Sequence, residues 1–130
     1  MRLIDVYSTD CKDILYKILE QRQPQESISH KEMPSWDEHC AFVDSRPYQI
    51  WYIILTSVDV GTIYLTDQRE IGVFISPGFR GQGLARQAIE LLRERHPGRI
   101  LANVNPANYA SRKLWESMGG KLIQVTFEIE

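Results

Sequence analysis

The sequence predicts an α+β fold: a mixed, mostly antiparallel sheet flanked by helices, forming a single domain over residues 1–130. Three observations point to it. Three β-type runs, 49–56, 60–65 and 70–75, follow one another across short connections, Ser57-Val58-Asp59 and Thr66-Asp67-Gln68, of hairpin length. Apolar residues then recur at helical spacing, first at Leu84, Ala88, Leu91 and Leu92, later at Ala107, Ala110, Leu114 and Met118. Between those helices, Ile100 to Val104 reads as a further buried strand. A chain of this length buries roughly two thirds of its unfolded surface, enough for a core without staples.

The remaining elements follow in order. Arg2 to Val6 alternates sufficiently for a first strand. Ser8 or Thr9 then caps a helix with Cys11, Leu15, Ile18 and Leu19 on one side. Residues 21–29 are polar and include Pro24, so a loop is expected. Ser35 and Glu38 have the spacing of a capping box, opening a second helix with Trp36, Cys40 and Val43 that ends before Pro47. After the three-strand meander, a helix is expected to begin near Gly81 and to stop at His96-Pro97-Gly98. Asn105-Pro106 starts the last helix, Gly119-Gly120 ends it, and Leu122 to Ile129 returns as a terminal strand or hairpin.

Hydrophobic residues at 43% and charged residues at 25% exclude disordered and fibrous classes. A formal net charge of −2 argues against a general nucleic-acid binder, while leaving room for a local basic patch. Cys11 and Cys40 form neither a metal pattern nor a disulfide framework, as expected in a reducing cytosol. Asp5, Asp10 and Asp13 interrupt any secretory apolar stretch, and the longest apolar run, 50–55, is too short to cross a bilayer. A cytoplasmic protein without membrane attachment is expected. No His, Asp or Glu pair has metal-ligand spacing with a third partner, so no metal is expected.

The stretch from Val73 to Ala85 carries the functional signal. It runs from a β-type segment through the Pro77-Gly78 turn into a glycine-spaced loop that opens a helix. A helix start leaves several N–H groups without partners, and with the positive end of the dipole they suit an anion such as a pyrophosphate. Gly81, Gly83 and the small Ala85 let that anion approach the backbone. Commoner phosphate loops do not fit. A Walker loop needs Lys-Ser/Thr after its glycine, where Leu84-Ala85 stand, and a dinucleotide fingerprint needs a Gly or Ala at Arg86.

Arg80-x-x-Gly83-x-Ala85 resembles the Arg/Gln-x-x-Gly-x-Gly/Ala signature of the GCN5-related N-acetyltransferase (GNAT) superfamily. Asn108-x-x-Ser111-x-x-Leu114-Trp115-x-x-x-Gly119-Gly120 resembles its later motif. The likeness is good from Val60 to Gly120 and holds only in outline before that, and the element order is also that of the GNAT fold. It implies an acetyl-CoA-dependent N-acetyltransferase with acetyl-CoA as cofactor, its pyrophosphate held by Arg80, Gly81, Gln82, Gly83, Leu84, Ala85 and Arg86. It further implies that Asn108 and Trp115, seven residues apart on one helical face, meet the pantetheine arm. The Asn108 amide can both donate to and accept from pantetheine amides. An oxyanion donor is implied among the N–H groups of Val73, Phe74 and Ile75. Gly72 before them suits either a bulge or close packing against a helix.

The chain departs from the family at two places. Trp115 stands where a Tyr protonates the departing thiolate, and Asn103 stands where some relatives carry a Glu. Glu70, at the start of the fourth strand, is the catalytic base that the resemblance suggests. Tyr64, Tyr52 and Tyr109 are the available phenols, and direct release of the thiolate to water is the alternative to a dedicated acid. The acceptor pocket is expected from Ser29 to Val43 and the ends of the middle strands, with His30, Trp36, His39, Trp51 and Tyr52. Three functions follow: acetylation of a small-molecule primary amine such as an amino sugar, acetylation of a protein or nucleic-acid amine, or silent acyl-CoA binding. The first is favoured, and the protein is expected to be a monomer or homodimer.

Overall fold

The computed structural model describes residues 1–22 and 32–130. In chain order it contains β1 (Arg2–Asp5), a 3-10 turn (Val6–Ser8), α1 (Lys12–Glu20) and α2 (Trp36–Asp44). There follow β2 (Ile50–Leu55), β3 (Asp59–Leu65), β4 (Glu70–Ile75), a second 3-10 turn (Pro77–Phe79), α3 (Leu84–Arg95), β5 (Leu101–Ala102) and α4 (Tyr109–Ser117). The strands lie in the order β1-β2-β3-β4-β5. The first three pairings are antiparallel and β4–β5 is parallel, so the expected mixed, mostly antiparallel sheet is present.

Strand alternation divides the core in two. Ile54, Ile63, Leu65, Ile71 and Ile75 face Ala88, Ile89 and Leu92 of α3, all buried. Trp51, Ile53 and Phe74 point the other way, against Val6, Cys11, Leu15, Ile18 and Val43 from the α1–α2 side. Ser35 caps α2 with both halves of the capping box formed: Glu38 N–H donates to Ser35 Oγ (3.1 Å) and Ser35 N–H to Glu38 Oε1 (2.9 Å).

Several boundaries differ from the sequence expectation, each for a local reason. Neither Ser8 nor Thr9 caps α1. Tyr7 N–H donates to Asp5 Oδ1 and closes a 3-10 turn first, leaving Cys11 at the N-cap with no side-chain capping bond; its Sγ donates instead to Val6 O. The loop helix begins at Leu84 rather than near Gly81, because Gly81 and Gly83 adopt left-handed φ values of 81° and 75°. The last helix begins at Tyr109, since the Asn105 side chain accepts from Ala107 N–H (2.9 Å) and holds residues 105–108 in turns. Ala107 and Ala110 are therefore exposed rather than core-facing. β5 covers only Leu101–Ala102 of the expected 100–104, and Leu122 to Ile129 forms no strand. β4 keeps unbroken register with β3, so Gly72 eases no bulge there; the register shift lies between Ile54 and Leu55.

Two glycines hold the meander close. A Cβ on Gly61 would overlap the Phe74 carbonyl oxygen, a backbone atom that cannot step aside, and a Cβ on Gly72 would fall inside the Tyr64 ring. Replacing Gly61→Ala should destabilise the protein by about 2 kcal/mol or more, read as a lower urea midpoint at unchanged slope. Burial, reinforced by Asp10, Asp13 and Asp5, pushes the Cys11 thiol up to about 11. A raised thiol value favours the folded state while the thiol stays protonated, so that contribution is complete below the ordinary thiol range of ~8.5 and lost as pH climbs through about 11. The melting temperature should fall across that window, and Cys11→Ala should flatten the fall.

Candidate active site

β4 sends its backbone groups alternately to its two neighbours. Ser76 N–H donates to Val60 O (2.8 Å) and Thr66 N–H to Glu70 O (2.9 Å), so even-numbered residues of β4 face β3. Odd-numbered residues face β5: Leu101 N–H donates to Arg69 O (2.9 Å). The β4–β5 pairing stops after Glu70↔Leu101 and Ile71↔Ala102. Beyond it, among the described residues, no ladder receives the N–H groups of Val73 and Ile75, which face the gap between the diverging strands. Phe74 N–H belongs to the β3 side and is not free to serve as an oxyanion donor.

The chain leaving β4 builds a second set of free donors. Phe79 N–H donates to Ser76 O and Arg80 N–H to Pro77 O, closing one 3-10 turn. Left-handed Gly81 and Gly83 then open the backbone, and nothing lies within 4 Å of where a Cβ on either would sit. The first bond into α3 runs from Gln87 N–H to Gly83 O (3.2 Å), and no side chain caps the helix. Among the described residues, the N–H groups from Gly81 to Arg86 donate to nothing. Open space, convergent donors and the positive helix end fit a pyrophosphate. The Arg80 guanidinium turns back on the loop, donating from Nε to Ile75 O (2.9 Å) and lying over the Phe74 ring.

At the closed end of the gap, Asn103 Nδ2 donates to the Glu70 carboxylate in a short hydrogen bond. The two residues that stood apart in the sequence are thus joined across β4 and β5.

The model of the acetyltransferase (GNAT) family matches residues 13–120. The chain belongs to this family. It is an acetyl-CoA-dependent N-acetyltransferase, transferring an acetyl group to an amine. No curated protein matches the sequence significantly. Solved structures agree in fold. Protein yncA of Salmonella typhimurium, solved with its cofactor acetyl-CoA, has TM-score 0.68 and 19% identity over 92% of this chain and 79% of that one. AAC(6')-Iy, solved with a bisubstrate analogue, has TM-score 0.72 and 17% identity over 99% and 95%. Ribosomal-protein-alanine N-acetyltransferase from Brucella melitensis has TM-score 0.68 and 19% identity over 92% and 83%.

In this GNAT acetyltransferase the phenols sort by face. Tyr52 points to the α3 side, where its hydroxyl shares a hydrogen bond with His96 Nε2 (2.8 Å). His96 is held below the usual imidazole value by burial, then by Arg69 and Arg95. Tyr109 is 70% exposed. Tyr64 lies on the Glu70 face, across Gly72, stacked on Tyr48 with centroids 3.7 Å apart. Burial, then the neighbouring Tyr64 phenol, hold Tyr48 above the ordinary phenol range. The β3–β4 register sets Tyr64 opposite Gly72, which leaves room for the ring.

Asn108 is the N-cap of α4, its Oδ1 accepting from Ser111 N–H (3.1 Å), so its amide retains donors but its acceptor is already engaged. Trp115 packs half-buried against the α3-side core. Arg86 ties α3 to α4 through Ser117 Oγ (3.2 Å) and pairs with Glu90.

Of the expected acceptor residues, His30 lies outside the described residues. His39 is buried, donating from Nε2 to Lys12 O (2.8 Å) between Tyr16 and Trp36. It braces α1 against α2. Trp51 is also buried, its indole donating to Thr62 Oγ1 (2.8 Å). No helix among the described residues is long and apolar enough to cross a membrane.

Gly83→Ala forces a side chain into the left-handed region at the mouth of the N–H cradle. Acetyl-CoA affinity should fall more than tenfold by calorimetry, while Gly78→Ala, with open space and no such φ, should leave it unchanged.

Proposed function

We propose that this acetyltransferase acts on the primary amine of a small cationic metabolite such as an amino sugar. The observation that carries the reading is the Glu70–Asn103 pair at the closed end of the strand gap, on the face shared with Tyr64 and Tyr48. Bound acetyl-CoA supplies a thioester electrophile. The loop N–H groups from Gly81 to Arg86 hold its pyrophosphate, and the amide donors of Asn108 orient the pantetheine arm. An acceptor amine is mostly ammonium at neutral pH and attacks only when neutral, so a proton must leave first. Glu70 takes it, directly or through one water. Asn103, donating to one carboxylate oxygen, turns the other toward the acceptor. The N–H of Val73 or Ile75 then donates to the oxygen that gains charge as the amine attacks. Trp115 offers no practical acid, and Tyr64 is the phenol on the correct face to return a proton to the thiolate.

The charge of the acceptor side supports a cation. α2 carries Asp37, Glu38 and Asp44 with no Lys or Arg; Asp44 pairs with Lys12 (2.7 Å), leaving the other two carboxylates exposed toward solvent. AAC(6')-Iy, similar in fold, is an aminoglycoside N-acetyltransferase.

Calorimetry should detect binding of acetyl-CoA and coenzyme A but not ATP. Thiol release should then be fastest with amino sugars in a panel that also holds amino-terminal peptides. Faster turnover of a peptide would overturn the acceptor class. Glu70→Gln should lower kcat by about 10²-fold or more with acetyl-CoA affinity kept, and Asn103→Ala should lower kcat less. Equal turnover by Glu70→Gln would remove Glu70 from the mechanism.

A further inference from the structure

Among the described residues, only two arginines, Arg22 and Arg69, are partly buried; the others stand exposed. Arg69 commits its guanidinium to two carbonyls, Arg99 O (2.9 Å) and His96 O (2.8 Å). Arg22, just past the end of α1, does not. Among the described residues its guanidinium makes no hydrogen bond and no ion pair. It lies instead over the Phe74 ring, 5.7 Å from the centroid. A ring face attracts the cation but accepts no N–H, so the donors of the fork are left over. Drawing a charge partly out of water without a partner is costly. Arginine is also the side chain whose flat fork matches a carboxylate or a phosphate.

Strand alternation fixes where that fork stands. Glu70, Gly72 and Phe74 are alternate residues of β4 and share one side of the sheet, the side of Tyr64 and α1. Phe74 is buried there, in the cluster that joins β4 to α1. Burial above all raises the Tyr48 phenol, and the charge of Arg22 opposes that rise, so the guanidinium also stands near the Tyr48–Tyr64 stack. Arg80, from the loop after β4, lies over the same ring at 5.2 Å. Positive charge thus gathers at the Phe74 end of this face, and the Glu70 carboxylate stands at the other. Four residues separate them, ~13 Å along the strand.

We infer that Arg22 selects the acceptor by receiving an anionic group, a carboxylate or a phosphate, that the acceptor carries in addition to its amine. This rests on the reading of the acceptor as an amino sugar with its amine at Glu70, and narrows it to an amino sugar bearing an acid group. The distance between Glu70 and Phe74, less the reach of the side chains, is one that a single sugar ring with its substituent spans. The stacked Tyr64 and Tyr48 form the wall between the two ends. The cation favoured by the α2 carboxylates and the anion favoured by Arg22 then belong to one dipolar molecule. A sugar without the acid leaves the fork unmatched in a partly desolvated place, and that difference is what discriminates.

The test is steady-state kinetics of the full chain at saturating acetyl-CoA with glucosamine, glucosamine 6-phosphate and glucosaminic acid. The wild type should use one of the two acidic sugars with kcat/KM about 10-fold or more above that of glucosamine. The preferred one tells phosphate from carboxylate. Arg22→Ala should abolish the preference through a higher KM for the acidic sugar. Arg22→Lys, which keeps the charge but not the fork, should restore part of it. Arg46→Ala, removing an exposed arginine that also lies over a ring (Tyr7, 4.9 Å), should keep the preference. Circular dichroism melting checks that each variant is folded. Equal use of all three sugars, or a preference that survives Arg22→Ala, would overturn the selection by Arg22 and leave amino-sugar acetylation standing. A fall in acetyl-CoA affinity by calorimetry, with the preference retained, would assign Arg22 to a cofactor phosphate and overturn it equally. Acetylation of peptides and of none of the sugars would remove the amino-sugar reading first, and the selection with it.

Discussion

The site depends on one constraint of strand geometry: a β-strand must place half of its backbone groups on each side. β4 satisfies the β3 side completely and the β5 side for only two pairs. The N–H groups of Val73 and Ile75 are left facing a gap, and a few residues later the loop leaves those from Gly81 to Arg86 in the same condition. Buried donors without partners cost about 1–3 kcal/mol each. In the proposed function a ligand rich in oxygen acceptors meets these donors, and affinity is then built from hydrogen bonds that folding itself omits.

The two faces of the sheet divide the remaining work. The α3 side is dense and aliphatic, and it anchors the helix whose first turn carries the unpaired loop N–H groups. The other side is aromatic, with Tyr7, Phe42, Tyr48, Trp51 and Tyr64 meeting mostly edge to face. Such contacts hold hydroxyl and indole groups in fixed directions within an apolar wall. Glu70 stands at the edge of this wall, on the face that Tyr64 shares.

Much of this was legible in the chain. The spacing of Gly81 and Gly83, with Leu84-Ala85 in place of Lys-Ser/Thr, separated this loop from commoner phosphate sites, and Ser35 with Glu38 marked α2 correctly. Local chemistry speaks plainly where the partner lies a few residues away. It fails where the partner is distant. Ile100 to Val104 reads as a strand throughout, yet only two residues pair, because β4 and β5 diverge as a property of the whole sheet. Tyr52 and Tyr64 look alike in sequence, and only the register of β2 and β3 puts one against His96 and the other over Gly72. Leu122 to Ile129 has the right pattern for a strand, but periodicity names a face and not the body that covers it.

Arg69 carries no motif in the sequence, yet it bears on the width of the gap. It holds a left-handed φ of 65° at the entry to β4, while its side chain donates to Arg99 O (2.9 Å) and His96 O (2.8 Å) on the chain leading into β5. The two strands are thereby riveted together at one end only, in the manner of a pair of shears. Ile75 lies six residues farther along, ~20 Å at strand rise. A change of a few degrees at the rivet becomes a displacement of about an ångström at the blades, so residues that touch no substrate can set the gauge of the opening.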